Sequence, residues 1–124
     1  MLSRIEHLRT TLESLELDAL LVTNPFNRRY LSGFTGTAGW LFISRDIAVI
    51  ATDFRYWSQA ESQAPGFNVY KQNGSFSDWF PGFIGVTGKS KVGFESTDVS
   101  MTTYKEMHQI IADIPSEQRP TLVG

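Results

Sequence analysis

Trp40-Leu41-Phe42-Ile43-Ser44-Arg45-Asp46-Ile47-Ala48-Val49-Ile50-Ala51 sets two short apolar runs on either side of a polar pair. Rich in β-branched and aromatic residues, the runs read as strands 40–43 and 47–51, with Arg45-Asp46 as the turn of a hairpin. Upstream, Ala19-Leu20-Leu21-Val22 is apolar at every position, the pattern of a strand covered on both faces of a sheet. Asn24-Pro25 stops it, because proline has no amide to give a ladder and restricts its predecessor. Further upstream, Ser3 and Glu6 form a capping-box pattern. Ile5, Leu8, Leu12 and Leu15 then recur at spacings of three and four, so a first helix with an apolar face is expected to end near Leu17.

Downstream of the hairpin, a helix is expected from Phe54 to Ala64, broken by Pro65-Gly66. Phe67-Asn68-Val69-Tyr70 reads as a short strand. Phe76, Trp79 and Phe80 indicate a short aromatic helix ending at Pro81-Gly82, and Val92-Gly93-Phe94 a further strand. Ser100 is placed to cap a helix whose inner face carries Met101, Tyr104, Met107 and Ile111, with Pro115 ending it. Ser116 to Pro120 reads as a polar connector, and Thr121-Leu122-Val123-Gly124 begins another apolar run. Helices alternating with strands around one hairpin indicate an α/β sandwich with a mixed sheet.

The 124 residues fit one domain, 1–124, able to bury roughly two-thirds of its unfolded surface. A net charge of −2 with no basic run argues against a nucleic-acid partner. The absence of cysteine excludes disulfides, thiolate zinc sites and thiol catalysis. The start, Met1-Leu2-Ser3-Arg4-Ile5-Glu6, has no apolar core of signal-peptide length, and no stretch is long enough to span a membrane. A soluble, cytoplasmic protein is therefore expected.

The chemistry-bearing candidates are few. In Gly33-Phe34-Thr35-Gly36-Thr37-Ala38-Gly39, glycines recur every three residues. Such a loop can bind an anion through its amides, or simply make a tight turn into the hairpin, and the turn is the simpler reading. Gly88-Lys89-Ser90 has the tail of a phosphate-binding loop, but its first glycine would have to stand at Phe83, so it reads as a polar turn. Asp53 and Arg55 fall at a strand end, where ligands often sit. Arg55 could hold a carboxylate or carbonyl, while Asp53 reads as a helix cap or a local ion partner. His7 and His108 belong to no metal-ligand or triad pattern. Asp46, Asp53 and Glu95 could approach one another as a magnesium site, but no basic groove would hold a polyanion beside them. The aromatics Phe76, Trp79, Phe80 and Phe83 read as core rather than as an exposed patch.

Asn27-Arg28-Arg29-Tyr30-Leu31-Ser32-Gly33-Phe34-Thr35-Gly36 resembles the N-x-x-Y-L-[ST]-G-F-x-G stretch of the amino-terminal domains of the creatinase/prolidase/aminopeptidase P family. Thr52-Asp53-Phe54-Arg55-Tyr56 with Gln59-Ala60 resembles that family's T-D-x-R-Y…Q-A, and Asp18 to Thr23 its first strand. The resemblance rests on Tyr30, Gly33, Phe34, Gly36, Asp53, Arg55 and Tyr56. Phe54 departs from it, standing where a small residue is commoner. The resemblance implies a mixed sheet flanked by helices, with a ribonuclease H-like motif. It also implies a non-catalytic domain preceding a "pita-bread" catalytic domain, expected after residue 124. That domain would cleave Xaa-Pro bonds, as a dipeptidase or an aminopeptidase P, with two divalent metal ions, commonly manganese. The present chain would then be catalytically silent and without a cofactor. It would contribute homodimer or higher oligomer contacts and part of the entrance for proline-containing peptides, with Phe34, Trp40 and Arg55 as substrate-entrance candidates. A stand-alone domain binding a peptide or small anion, or a creatinase-like or pseudoenzyme relative, are the alternatives.

Overall fold

The computed structural model describes residues 3–124. Met1 and Leu2, where the leader reading began, lie outside them. In chain order the elements are α1 (Arg4–Ser14), β1 (Ala19–Val22), α2 (Pro25–Ser32), β2 (Trp40–Ser44) and β3 (Ala48–Thr52). There follow α3 (Trp57–Gln63), β4 (Asn68–Lys71), α4 (Phe76–Ile84), β5 (Lys91–Phe94), α5 (Met101–Ala112) and β6 (Thr121–Val123).

The hairpin forms as its pattern requires, β2 pairing antiparallel with β3 through Leu41↔Ile50 and Phe42↔Val49. Its turn is held by the Ser44 hydroxyl, which accepts from the amides of Asp46 and Ile47 at 3.2 and 3.0 Å. Antiparallel β1 completes a three-strand meander, and parallel strands extend both edges, giving the order β4-β3-β2-β1-β5-β6. This is the mixed sheet flanked by helices expected from the pattern. Val123 on edge strand β6 remains 38% exposed.

Alternation along the strands divides the core in two. Ala19, Leu21, Phe42, Val49 and Ala51 face a layer made by α4 and α5, with Trp79, Phe80, Phe83, Met107 and Ile111. Val22, Leu41, Ile43, Ala48 and Ile50 face the other side, against Phe34, Ala60 and the partly buried Ile5, Leu8 and Leu31. A strand with both faces covered must be apolar throughout, which is why β1 and β3 do not alternate in polarity.

Several expected boundaries move. The first helix stops at Ser14, and Leu15, expected on its inner face, is 62% exposed because the chain has already left the helical path. The Phe54–Ala64 helix begins only at Trp57, since Asp53 accepts the Arg55 amide at 3.1 Å and folds residues 54–56 into a turn. The aromatic helix does not end at Pro81-Gly82 but continues to Ile84, because Phe83 and Ile84 are needed inside the core. Met101, expected on the inner face of the last helix, opens that helix and stays 73% exposed.

Helix α2 was not expected, because its apolar residues mark no inner face: Phe26 is 82% exposed and Tyr30 58%. Its ends were nonetheless written in the sequence. The Asn24 side chain accepts from the Phe26 and Asn27 amides, Pro25 takes the first turn, and Gly33 closes the helix at φ 83.

Candidate functional site

β1, β3, β4, β5 and β6 run one way and β2 the other, so five C-terminal strand ends share one end of the sheet with Trp40 at the start of β2. In open α/β sheets this is the end at which ligands collect. Thr23, Asp53 and Glu95 follow their strands there, and the glycine loop 33–39 spans the gap between α2 and β2.

A carboxylate at the end of β5 seats α2. Glu95 Oε1 accepts from the backbone amides of Thr23 and Asn24 at 2.6 and 2.8 Å, and its Oε2 from the Asn27 side chain. Asp98 accepts from the Thr23 hydroxyl at 2.6 Å. These bonds stitch the β1–α2 junction to the β5–α5 junction, leaving Glu95 committed to structure.

The glycine loop is gripped from two sides. From α2, the Arg28 side chain donates through Nη1 to the Gly39 carbonyl at 2.8 Å and through Nη2 to the Gly36 carbonyl at 2.9 Å. From α3, Gln63 Oε1 accepts the Thr35 amide at 2.9 Å, and the Tyr56 and Thr37 hydroxyls meet at 2.6 Å. The Thr52 hydroxyl donates to the Ala38 carbonyl at 2.8 Å. The Phe34 amide is bound by the Ser32 hydroxyl, so the loop's first amides are turned to protein acceptors rather than to an anion. The loop is the tight turn that its spacing allowed. Gly36 is obligatory in it, since a Cβ there would lie 2.2 Å from the Phe34 ring. Gly88, at φ 69, likewise sits in a turn that leads into a strand.

The three entrance candidates do not converge. Phe34 is only 1% exposed and packs edge-on to Tyr56 with ring centroids 5.9 Å apart, beneath the loop rather than on its surface. Trp40 packs in the opposite core layer against Phe76, Trp79 and Phe80. One flank of it borders a cleft of about 200 Å³ with Thr23, Asp98, Val99, Ser100 and Thr103. Arg55 is at the surface, its side chain 58% exposed, beside a 75% exposed Phe54. Of the motif residues, Tyr30 is exposed under the Arg4 guanidinium, 4.2 Å from its ring centroid. Gly33 and Gly36 shape the loop, and Tyr56 joins it to α3.

Asp53 and Arg55 form a forked ion pair, with bonds of 2.9 and 2.8 Å from Nε and Nη2. Hydrogen bonding to Arg55 holds the Asp53 carboxyl below its ordinary value of 3.8, and the same pair raises Arg55. Arg55 therefore reaches a ligand carboxylate only by exchanging Asp53 for it. Arg28, which holds the loop through two carbonyls, is the buried residue that sequence reasoning passed over. It lies inside the recognised motif at one of its variable positions, and nothing in the apolar periodicity marks it as buried.

Among the described residues no three His, Asp or Glu side chains come together as a metal site. Asp46, Asp53 and Glu95 are separately engaged or apart, and His7 and His108 are exposed. The residues present do not fit the two-metal centre that the resemblance implies for a catalytic domain.

Residues 4–119 match the family model described as the creatinase/prolidase N-terminal domain. The uncharacterized peptidase YqhT of Bacillus subtilis is 36% identical over 110 residues, covering 89% of this chain and 31% of the relative. The solved N-terminal domain of the cytoplasmic peptidase PepQ from Mycobacterium tuberculosis superposes with a TM-score of 0.82 at 34% identity, covering 97% of this chain and 90% of that one. An Xaa-Pro dipeptidase from Bacillus anthracis gives 0.79 at 34% identity, but the match takes up 95% of this chain and 32% of that one. The chain thus spans about a third of the length of these two longer peptidases. With fold, motif positions and sequence in agreement, the chain belongs to the creatinase/prolidase N-terminal domain family.

Proposed function

We propose that this chain is the non-catalytic amino-terminal domain of a metal-dependent Xaa-Pro peptidase, a dipeptidase or an aminopeptidase P, working in the cytoplasm. The observation that carries this reading is one of proportion. The whole domain aligns with about a third of an Xaa-Pro dipeptidase at 34% identity, so the chain corresponds to one part of a larger peptidase. Hydrolysis, and the two divalent ions (manganese foremost) that would activate water for it, belong to the remaining two-thirds. No helix among the described residues is long and apolar enough to cross a membrane, which is consistent with that setting.

The domain's contribution would be made at the strand-end surface. Arg55 is exposed, charged and oriented by a single carboxylate, so a peptide carboxylate could replace Asp53 in the same forked geometry. Exposed Phe54 beside it offers apolar area to a proline ring or to a neighbouring subunit. Phe34 would act from below, by shaping the loop. Trp40 would act through the flank it presents to its cleft.

Kinetics of the native protein, at whatever length its source produces it, test the proposal. Arg55→Ala should lower kcat/KM for short Xaa-Pro peptides about tenfold, mostly through KM, as expected for loss of a contact made equally in the ground and transition states. An unchanged specificity constant removes the entrance role. Absence of any manganese-supported Xaa-Pro cleavage in the unmodified protein removes the peptidase reading altogether.

A further inference from the structure

We propose that Arg28 is the positioning residue of this surface: its buried guanidinium imposes the shape of loop 33–39 on the wall of the cleft. The wall's place in a substrate entrance rests on the function proposed above.

The side chain is 4% exposed, yet it is a cation. Its two terminal nitrogens reach the carbonyls of Gly36 and Gly39, so one planar fork fixes two peptide groups three residues apart. Both glycines are themselves buried, and the Phe34 ring fills the space where a side chain at Gly36 would be. Ring and fork hold the loop from beneath, while Gln63, Tyr56 and Thr52 bond its other residues. The outward side of the loop, Thr35 to Thr37, lines a cleft of about 330 Å³ with Pro25, Phe26 and Arg29.

This arrangement is not one that stability alone favours. The Nε–H of Arg28 is buried without a partner, and burial lowers the guanidinium's pKa, with Asp98 only partly offsetting that effect. A buried, incompletely satisfied cation is often less stabilising than an apolar side chain of similar volume. What the guanidinium provides that methionine could not is two fixed donors. Lysine, a single point charge on a flexible stem, cannot reproduce the fork either.

Amide hydrogen exchange and 15N spectra of the 124-residue chain test the assignment. In the unmodified chain the two terminal nitrogens of Arg28, held on different carbonyls, should give separate signals, whereas exposed arginines average. In Arg28→Met and Arg28→Lys, exchange at Phe34 and Thr35 should quicken about tenfold or more while Leu41, Ile43 and Ile50 stay unchanged, the pattern of a local opening. Unchanged exchange at the loop overturns the proposal. So does faster exchange shared equally by the strands, which would mean an ordinary structural role. If Arg28→Met does not fold, Arg28→Lys decides alone. A loosened loop that leaves Xaa-Pro kinetics of the native protein untouched keeps the positioning role and removes the entrance reading instead.

Discussion

Glu16 holds φ 58, the one positive φ at a non-glycine position among the described residues. It closes α1 in a Schellman arrangement. The Leu17 amide reaches back to the Leu12 carbonyl at 2.9 Å, and the Glu16 amide to that of Glu13 at 3.1 Å. Glycine is the usual occupant because a Cβ in this conformation costs roughly 1–2 kcal/mol. Replacing it with glycine also frees the unfolded chain, which returns part of that gain. Glu16→Gly should therefore stabilise the domain by about 0.5–1 kcal/mol, raising Tm by about 2–4 °C for a chain of this size. A melting curve in which the variant unfolds at or below the parent temperature would contradict this account. Residue-level conformations of this kind are hidden in the sequence. Gly33 advertises its left-handed φ of 83, whereas Glu16 gives no sign of one. Arg28 is illegible for a related reason. Arginine is ordinarily a surface residue, and only the two carbonyls folded over it make burial tolerable.

Helix α4 shows how packing overrides a local stop signal. Pro81 removes an amide from the helix interior and Gly82 lowers helix propensity, which together predict an end there. The helix passes both because Phe83 and Ile84, each 0% exposed, lie on the same face as Trp79 and Phe80. Gly82 has a second reason to be glycine. A Cβ there would stand 2.4 Å from the Tyr70 hydroxyl, which donates to the Trp79 carbonyl at 3.1 Å. Tyr70 cannot easily move aside, since its ring packs against Phe83 at 5.7 Å. Gly82→Ala should accordingly cost about 1–2 kcal/mol. Tyr70→Phe alone should cost about 1 kcal/mol for the lost hydrogen bond. In the Tyr70→Phe background the same alanine has room and becomes neutral or stabilising by up to about 1 kcal/mol through helix propensity. Denaturant midpoints for the four proteins of this cycle give the coupling directly, and strictly additive effects would show that the hydroxyl is not what excludes a side chain. At this scale the sequence was readable wherever a strand had to be apolar on both faces or a helix carried a repeating stripe. It was not readable where tertiary contacts extend an element, as at Ile84. Nor was α2 readable by periodicity, since that helix is defined by its ends instead of by a face.

For the molecule as a whole, the fold depends on carboxylates that hold backbone or cation partners across its surface, and this dictates how it responds to acid. Asp78 completes a capping box by accepting the Ser75 amide at 2.8 Å, and Asp53 holds Arg55. Hydrogen bonds from Ser75 keep the Asp78 carboxyl below its ordinary 3.8, as Arg55 does for Asp53. A carboxylate whose folded pKa is depressed binds its proton more readily in the unfolded chain, so acid favours unfolding. The stabilisation is fully present above 3.8 and disappears as pH falls through the lower, folded value. Both groups are close to solvent, so the effect of each is small, and salt should weaken the Asp53–Arg55 part of it. Asp78→Asn keeps an acceptor for the Ser75 amide but has nothing to titrate. Its stability curve should therefore lie below the parent's at neutral pH and converge with it as pH falls below 3.8. Urea unfolding midpoints measured across that range check the sign. Two curves separated by the same amount at every pH would mean that the box acts through hydrogen-bond geometry alone, with no contribution from the charge on Asp78.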